Sequence, residues 1–154
     1  MTNRTTVQRT SERELTVTRS FDAPAHAVFE AWTKPELFKR WWAPTSMGAK
    51  IVSCAIDART GGRYRIEFGN GDAEPMAFFG KYVEVIPGKR LVWTNEESDE
   101  GAVTTVTFDD EGGRTLLTWR EAYASTAALD EAIQGMEAMA AEQLGQLDEL
   151  LAAS

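Results

Sequence analysis

Five turn signals, Thr60-Gly61-Gly62, Asn70-Gly71, Pro87-Gly88, Asp99-Glu100-Gly101 and Glu111-Gly112-Gly113, divide residues 49–122 into short β-rich runs. Links this short hold a hairpin turn but not the crossover that a parallel pair requires. The six runs, at about 49–57, 63–69, 76–86, 90–96, 102–109 and 114–122, are therefore predicted to form an antiparallel meander. Within it Tyr64, Ile66 and Phe68 alternate with Arg63, Arg65 and Glu67, so one face is dry and the other wet. The dry face needs a cover, and the C-terminal segment supplies one. Ser125 offers an N-cap to a run with Leu129, Ile133, Met136, Ala140, Gln143, Leu147 and Leu150 at three-to-four spacing. A helix of about 25 residues is expected there, roughly 38 Å long and able to cross the face of a curved sheet.

Upstream of the meander, residues 1–13 are polar and carry one sizeable apolar side chain, Val7, so a mobile tail is expected. Leu15 and Val17 alternate with polar neighbours between Glu14 and Phe21, which predicts a strand. Asp22 and Pro24 then supply an N-cap and an early-helix proline. A helix from about Ala25 to Trp32 sets Val28, Phe29 and Trp32 on one face. Thr33 and Pro35 end it, and a second short helix runs through Leu37, Phe38 and Trp41 until Pro44 stops it. The expected order is β-α-α-β6-α, a single α+β domain over residues 14–154. A length of 154 residues suits one core.

Four motifs follow one another in this chain: Trp32-Thr-Lys-Pro-Glu-Leu-Phe-Lys-Arg-Trp-Trp-Ala-Pro44, Asp57-Ala-Arg-Thr-Gly-Gly-Arg-Tyr64, Gly80-Lys-Tyr-Val-Glu-Val-Ile-Pro87 and Arg90-Leu-Val-Trp-Thr94. Through them the chain resembles, from about residue 14 to its C-terminus, the single-domain activator-of-heat-shock-ATPase-like proteins of the SRPBCC (START, Bet v 1-like) superfamily. The resemblance implies a helix-grip fold, in which a curved antiparallel sheet wraps a long C-terminal helix. It also implies a pocket between sheet and helix, where relatives commonly hold an apolar ligand. Gly135-Met136 and Leu147-Asp148-Glu149-Leu150 match family features of the last helix, while Ala138 and Gly145 are local departures.

Periodicity points Ile56, Tyr64, Ile66, Phe68, Phe79, Trp93, Val106, Leu117 and Trp119 inward from the strands, and Met136, Met139, Ala140, Gln143 and Leu147 inward from the helix. These residues either pack a solid core or line a ligand cavity, and the small residues of the last helix favour a cavity. Gly80 leaves the facing of its strand open, because a glycine there can mark a bulge. One of Trp41 and Trp42 is expected to be buried and the other to line an entrance with Met47. Glu121 continues the inward alternation of Leu117 and Trp119. A carboxyl group there would have its pKa raised by desolvation and would be the candidate general acid or base. His26 reads as a surface residue and Cys54 as a buried structural thiol.

With one His and one Cys, neither a metal constellation nor a Ser-His-Asp or Cys-His arrangement is expected, and no cofactor is implied. A net charge of −8 disfavours nucleic acid and anionic lipid. Six of those charges come from Asp130, Glu131, Glu137, Glu142, Asp148 and Glu149, in a segment without Lys or Arg. No run reaches the ~18 apolar residues of a membrane span, and the N-terminus has no signal-like core, so a cytoplasmic protein is expected. Three functions fit: binding of a small apolar or aromatic ligand, cyclase- or hydrolase-type catalysis with Glu121, or co-chaperone contact with a heat-shock ATPase. The last is disfavoured, because a short polar segment stands where the eukaryotic activators carry a further domain. Exposed strand edges leave a homodimer open.

Overall fold

The computed structural model describes residues 5–43, 50–69, 76–95 and 102–152. The expected turns at Asn70-Gly71 and Asp99-Glu100-Gly101, the helix stop at Pro44 and the entrance residue Met47 lie outside the described residues. The elements follow in the order β1 (Thr6–Arg9), β2 (Glu14–Phe21), α1 (Ala25–Thr33), α2 (Pro35–Phe38), β3 (Lys50–Ile56), β4 (Arg63–Gly69) and β5 (Met76–Ile86). They continue with β6 (Arg90–Asn95), β7 (Val103–Asp110), β8 (Thr115–Ala122), α3 (Thr126–Ala132) and α4 (Met136–Ala152).

The strands form one antiparallel sheet in the order β1-β2-β8-β7-β6-β5-β4-β3. Strands β3 to β8 are the meander that the turn chemistry predicts. Strand β2 joins the far end of this meander along β8, from Glu14 opposite Ala122 to Phe21 opposite Thr115. The chain therefore leaves β2 beside the last strand and returns at the opposite edge, and α1 with α2 makes that passage. Helix α4 covers β1 and β2 and touches α1. Between the layers lie the fully buried Leu15, Val17, Phe21, Leu91, Val106, Leu117, Leu144 and Leu147. Each such side chain contributes about 1.5–3 kcal/mol through burial.

Four local expectations are corrected. Thr6–Arg9, placed in a tail without an anchor, form β1 and pair with β2. Val7 packs against the core and Arg9 meets Asp130 at 2.6 Å. Backbone pairing at a sheet edge needs no apolar alternation, so composition hid this strand. The expected single long helix is two, because Gly135 takes φ = 77° between α3 and α4; the Ser125 cap is present, its hydroxyl accepting from Ala128 N at 3.1 Å. Asp22 does not cap α1: Pro24 occupies the N-cap position without a side-chain cap, and Asp22 pairs with Arg114 at 2.7 Å. The second helix closes at Phe38, leaving Trp41 and Trp42 in the turn that follows.

The break at Gly135 lets α4 take its own course over β2, because a left-handed residue can turn the axis where a continuous helix would hold it straight. An L side chain in that conformation costs about 1–2 kcal/mol. Gly135→Ala is therefore expected to lower stability by about that amount, read as a shift of the urea unfolding midpoint with an unchanged slope.

Candidate functional site

Every tryptophan in the chain belongs to one aromatic cluster. Trp32, presented by α1, lies 4.8 Å from Trp41, 5.7 Å from Trp42, 5.8 Å from Trp93 and 5.7 Å from Trp119, centroid to centroid. The crossings are mostly edge-to-face, the arrangement that opposes ring edges to ring faces. Trp41 is the buried member of the pair after α2, with its indole N–H donating to Ala31 O at 2.9 Å. Trp42 remains partly exposed and stacks on Phe38 at 4.9 Å. Two glutamines of α4 hold this turn by its backbone. Gln143 Nε2 donates to Trp42 O at 2.7 Å, and Gln146 Nε2 donates to Trp41 O at 2.8 Å and Ala43 O at 3.0 Å. At this end the space between sheet and helix is filled.

Across the sheet the lining thins. Tyr64, Tyr82 and Trp93 form a second cluster with centroid separations of 5.8, 6.4 and 6.2 Å. The Tyr64 hydroxyl stands 2.9 Å from both Thr94 O and Asn95 Oδ1. Gly80 makes this approach possible, since a Cβ there would lie 1.7 Å from Thr94 O. Beyond this cluster Ile56 and Phe68 are only partly buried, and Phe78 is 40% exposed.

Phe78 takes the place expected of Phe79. It pairs with Ile66 on the inward face, whereas Phe79 pairs with Arg65 on the outer face, where the guanidinium lies 5.6 Å from its ring. The bulge in β5 falls between Tyr82 and Glu84, after Gly80 rather than at it. Another irregularity, between Ile51 and Ser53, leaves Val52 58% exposed although it sits two residues from the inward Cys54. Ile66, Val106, Leu117, Trp119, Met136, Ala140, Gln143 and Leu147 are buried as expected. Met139 is not: it lies at the margin of the α4 stripe and is 38% exposed.

Glu121 faces inward in a cross-strand row with Thr104, Trp93 and Tyr82. The Trp119 indole N–H donates to its Oε1 at 3.1 Å, and the Tyr123 hydroxyl makes a short bond to Oε2. Burial raises the carboxyl pKa above its usual 4.5, while these two donors and the nearby Thr104 hydroxyl offset part of the rise. Thr104 is fully buried and stays outside hydrogen-bond geometry, so its Oγ1 has no partner. The Tyr123 and Tyr82 hydroxyls are both pushed up chiefly by burial, and Tyr123 also by the charge of Glu121. Cys54 is half-buried, and desolvation lifts its thiol to about 11, where the reactive thiolate is scarce. Sequence reasoning missed Thr104, Tyr82 and Tyr123. Thr104 shares the period-two phase of Val106 and Phe108, a signal that would have found it.

His26 is exposed. Among the described residues no three His, Cys, Asp or Glu side chains gather as metal ligands, and no helix is long and apolar enough to cross a membrane. A groove of about 330 Å³ lined by Ser11, Arg13, Glu14, Val103, Ala122, Tyr123 and Ala124 lies at the Tyr123 end of β8. Ala122 and Val103 alternate with the inward Glu121 and Thr104, which puts this groove on the outer side of the sheet.

A curved antiparallel sheet gripping a C-terminal helix, with two short helices inserted after the strand that pairs with the last, defines the helix-grip, Bet v 1-like class. Within that class the chain belongs to the family described as Activator of Hsp90 ATPase homolog 1-like protein, whose sequence model matches residues 22–152. No curated protein matches the chain. A solved protein of Rhodobacter sphaeroides is similar at 23% identity and a TM-score of 0.88, covering 97% of this chain and 98% of its own. One from Mycobacterium smegmatis is similar at 26% identity and a TM-score of 0.80, with the same coverages of 97% and 98%. An AHSA1-like protein from Aeromonas hydrophila is similar at 22% identity and a TM-score of 0.68, over 90% of this chain and 92% of its own.

The raised pKa of Glu121 has a consequence for stability. Between pH 4.5 and the folded value, the folded chain keeps a proton that the unfolded chain has released. The stability that Glu121 contributes is complete below pH 4.5 and is lost as pH rises through the folded value. Glu121→Gln removes this titration, so its stability relative to the parent is expected to increase with pH across that window. Urea unfolding at about pH 4 and about pH 7 measures the trend, and a carboxyl resonance titrating at an ordinary value would contradict it.

Proposed function

We propose that the protein binds a small, largely apolar or aromatic molecule between the sheet and α4. One observation carries this reading. Helix α4 lies over β1 and β2, whereas the inward face of β3 to β6 keeps Ile56, Phe68 and Trp93 partly accessible and Phe78 at 40% exposure. A concave apolar surface of this kind gains about 25 cal/mol for each Å² that a ligand covers. The family's fold commonly serves such ligands, which supports the same assignment. The chain's acidic balance and the absence of a spanning helix among the described residues agree with a role away from nucleic acid and membrane, in the cytoplasm.

A second reading, catalysis of the cyclase or hydrolase type, draws on Glu121 itself. It is inward-facing, desolvated and bonded to a tyrosine hydroxyl, the setting of a general acid or base. Under that reading Glu121→Gln abolishes turnover and leaves ligand binding in place.

Titration with 2-methoxynaphthalene is expected to perturb the fluorescence of Trp93 and Trp42 and to shift amides around Tyr64, Trp93 and Phe78. Phe78→Ser, which removes an accessible apolar contact, is expected to weaken binding by about tenfold. The absence of saturable binding across a panel of apolar and aromatic probes would refute the proposal in favour of a function carried by the outer surface.

A further inference from the structure

Buried polar atoms without partners are rare in folded proteins, and each one asks for a cause. Thr104 Oγ1, Gln143 Oε1 and Trp32 Nε1 are three such atoms, on side chains exposed by 0%, 4% and 1%. Arg19 Nε shares the condition, but its guanidinium group is paired with Asp148. The other three border the tryptophan cluster. The Trp32 ring touches Trp42, Trp93 and Trp119. Gln143 is bonded to the Trp42 carbonyl, Thr104 stands between Trp93 and Glu121 in the sheet, and the Trp119 indole is bonded to Glu121.

The unmet capacity is mostly for accepting hydrogen bonds. Gln143 Nε2 is committed to the Trp42 carbonyl at 2.7 Å, so the amide atom left over is the oxygen. Glu121 receives one bond on each carboxyl oxygen, from Trp119 and Tyr123, and each oxygen retains a second lone pair when ionised. Thr104 can accept or donate, and Trp32 supplies the lone surplus donor of the group. Trp119 and Tyr123 also fix the carboxyl plane, so its remaining lone pairs have set directions. The rings of Trp93, Tyr82 and Tyr64 continue from this point along the inward face.

We propose that the ligand is an aromatic molecule bearing a hydrogen-bond donor, a hydroxyl or an amine, which it places on Glu121 beside Thr104 with its ring against Trp93. This rests on the reading of the cavity as an apolar ligand site and adds the chemistry of the polar end. Glu121 is the anchor because it faces inward beside Thr104, with its carboxyl held by Trp119 and Tyr123. Thr104 lies directly opposite on β7, at the roughly 5 Å spacing of cross-strand neighbours, so one donor group can meet both. Gln143 Oε1 offers a further acceptor from the helix side. A molecule of the same shape without the donor would cover the rings and leave the acceptors unpaired, the situation in which binding sites discriminate most strongly.

Two probes of nearly equal size separate the possibilities: 2-naphthol, which donates, and 2-methoxynaphthalene, which does not. The wild-type chain is expected to bind 2-naphthol at least about tenfold more tightly, by tryptophan fluorescence and isothermal calorimetry. Thr104→Val and Glu121→Leu are each expected to bring the ratio of the two affinities to within about twofold, chiefly by weakening 2-naphthol. Amide spectra identify variants that keep the fold, and the wild-type ratio decides the matter without them. Equal affinity of the wild type for both probes overturns this proposal and leaves the apolar site standing. Binding of neither overturns the site as well.

Discussion

The fold depends on where the Trp32 ring sits. Helix α1 is nine residues long and α2 only four, too short to hold their positions through helix propensity. What fixes them is one indole packed against Trp41 and Trp42 from the following turn and against Trp93 and Trp119 from the sheet. That contact joins the passage between β2 and β3 to the middle of the meander. Once it is made, the two edges of the sheet are brought round a common interior and α4 has a surface to lie on. The interaction has a cost, since the Trp32 N–H is buried without an acceptor. An unpaired group of this kind costs about 1–3 kcal/mol, less than the area that so large a ring removes from water returns.

Helix α4 then joins the layers by polar as well as apolar means. Leu144 and Leu147 fill the interior, but Gln143 and Gln146 reach past them to the backbone of residues 41–43. These bonds satisfy carbonyls of the turn that follows α2, which a leucine at either place would not do. Two residues beyond Gln146, Asp148 meets the mostly buried Arg19 of β2 at 3.0 Å. The helix is thus held to the turn after α2 and to β2, and the inward face of β3 to β6 stays partly accessible along Phe68, Phe78 and Trp93. A filled half and an accessible half follow from the same set of contacts, so a solid core and an accessible apolar surface coexist here.

The polar interior has a comparable logic. Glu121 is drawn into the domain by the alternation of β8, and burial destabilises its charge, which the bonds from Trp119 and Tyr123 offset in part. Those donors steady the carboxyl but leave it capacity, and the Thr104 hydroxyl next to it lies outside hydrogen-bond geometry. Thr104 Oγ1, Gln143 Oε1 and Trp32 Nε1 thus leave hydrogen-bonding capacity unmet in the interior.

Much of this protein was determined by its sequence alone, because the governing physics is local. Glycine-rich turns between short alternating runs force hairpins, so β3 to β8 and their bounds could be read within a residue or two. The same period placed Leu117, Trp119 and Glu121 on one face, and Ser125 at the start of a helix. Tertiary structure decided what local pattern does not encode. Strand β1 pairs through backbone groups that every residue carries, so Thr6–Arg9 looked like a tail. A shift of one residue in β5 chose Phe78 over Phe79, since a sheet's period of two reverses the face with each step. The gathering of all five tryptophans, and of Glu121 with Thr104 and Tyr123, arises from strand order and from the course of α4 over the sheet. Those are long-range choices, made by which surfaces exclude water best together and not by any segment of the chain by itself.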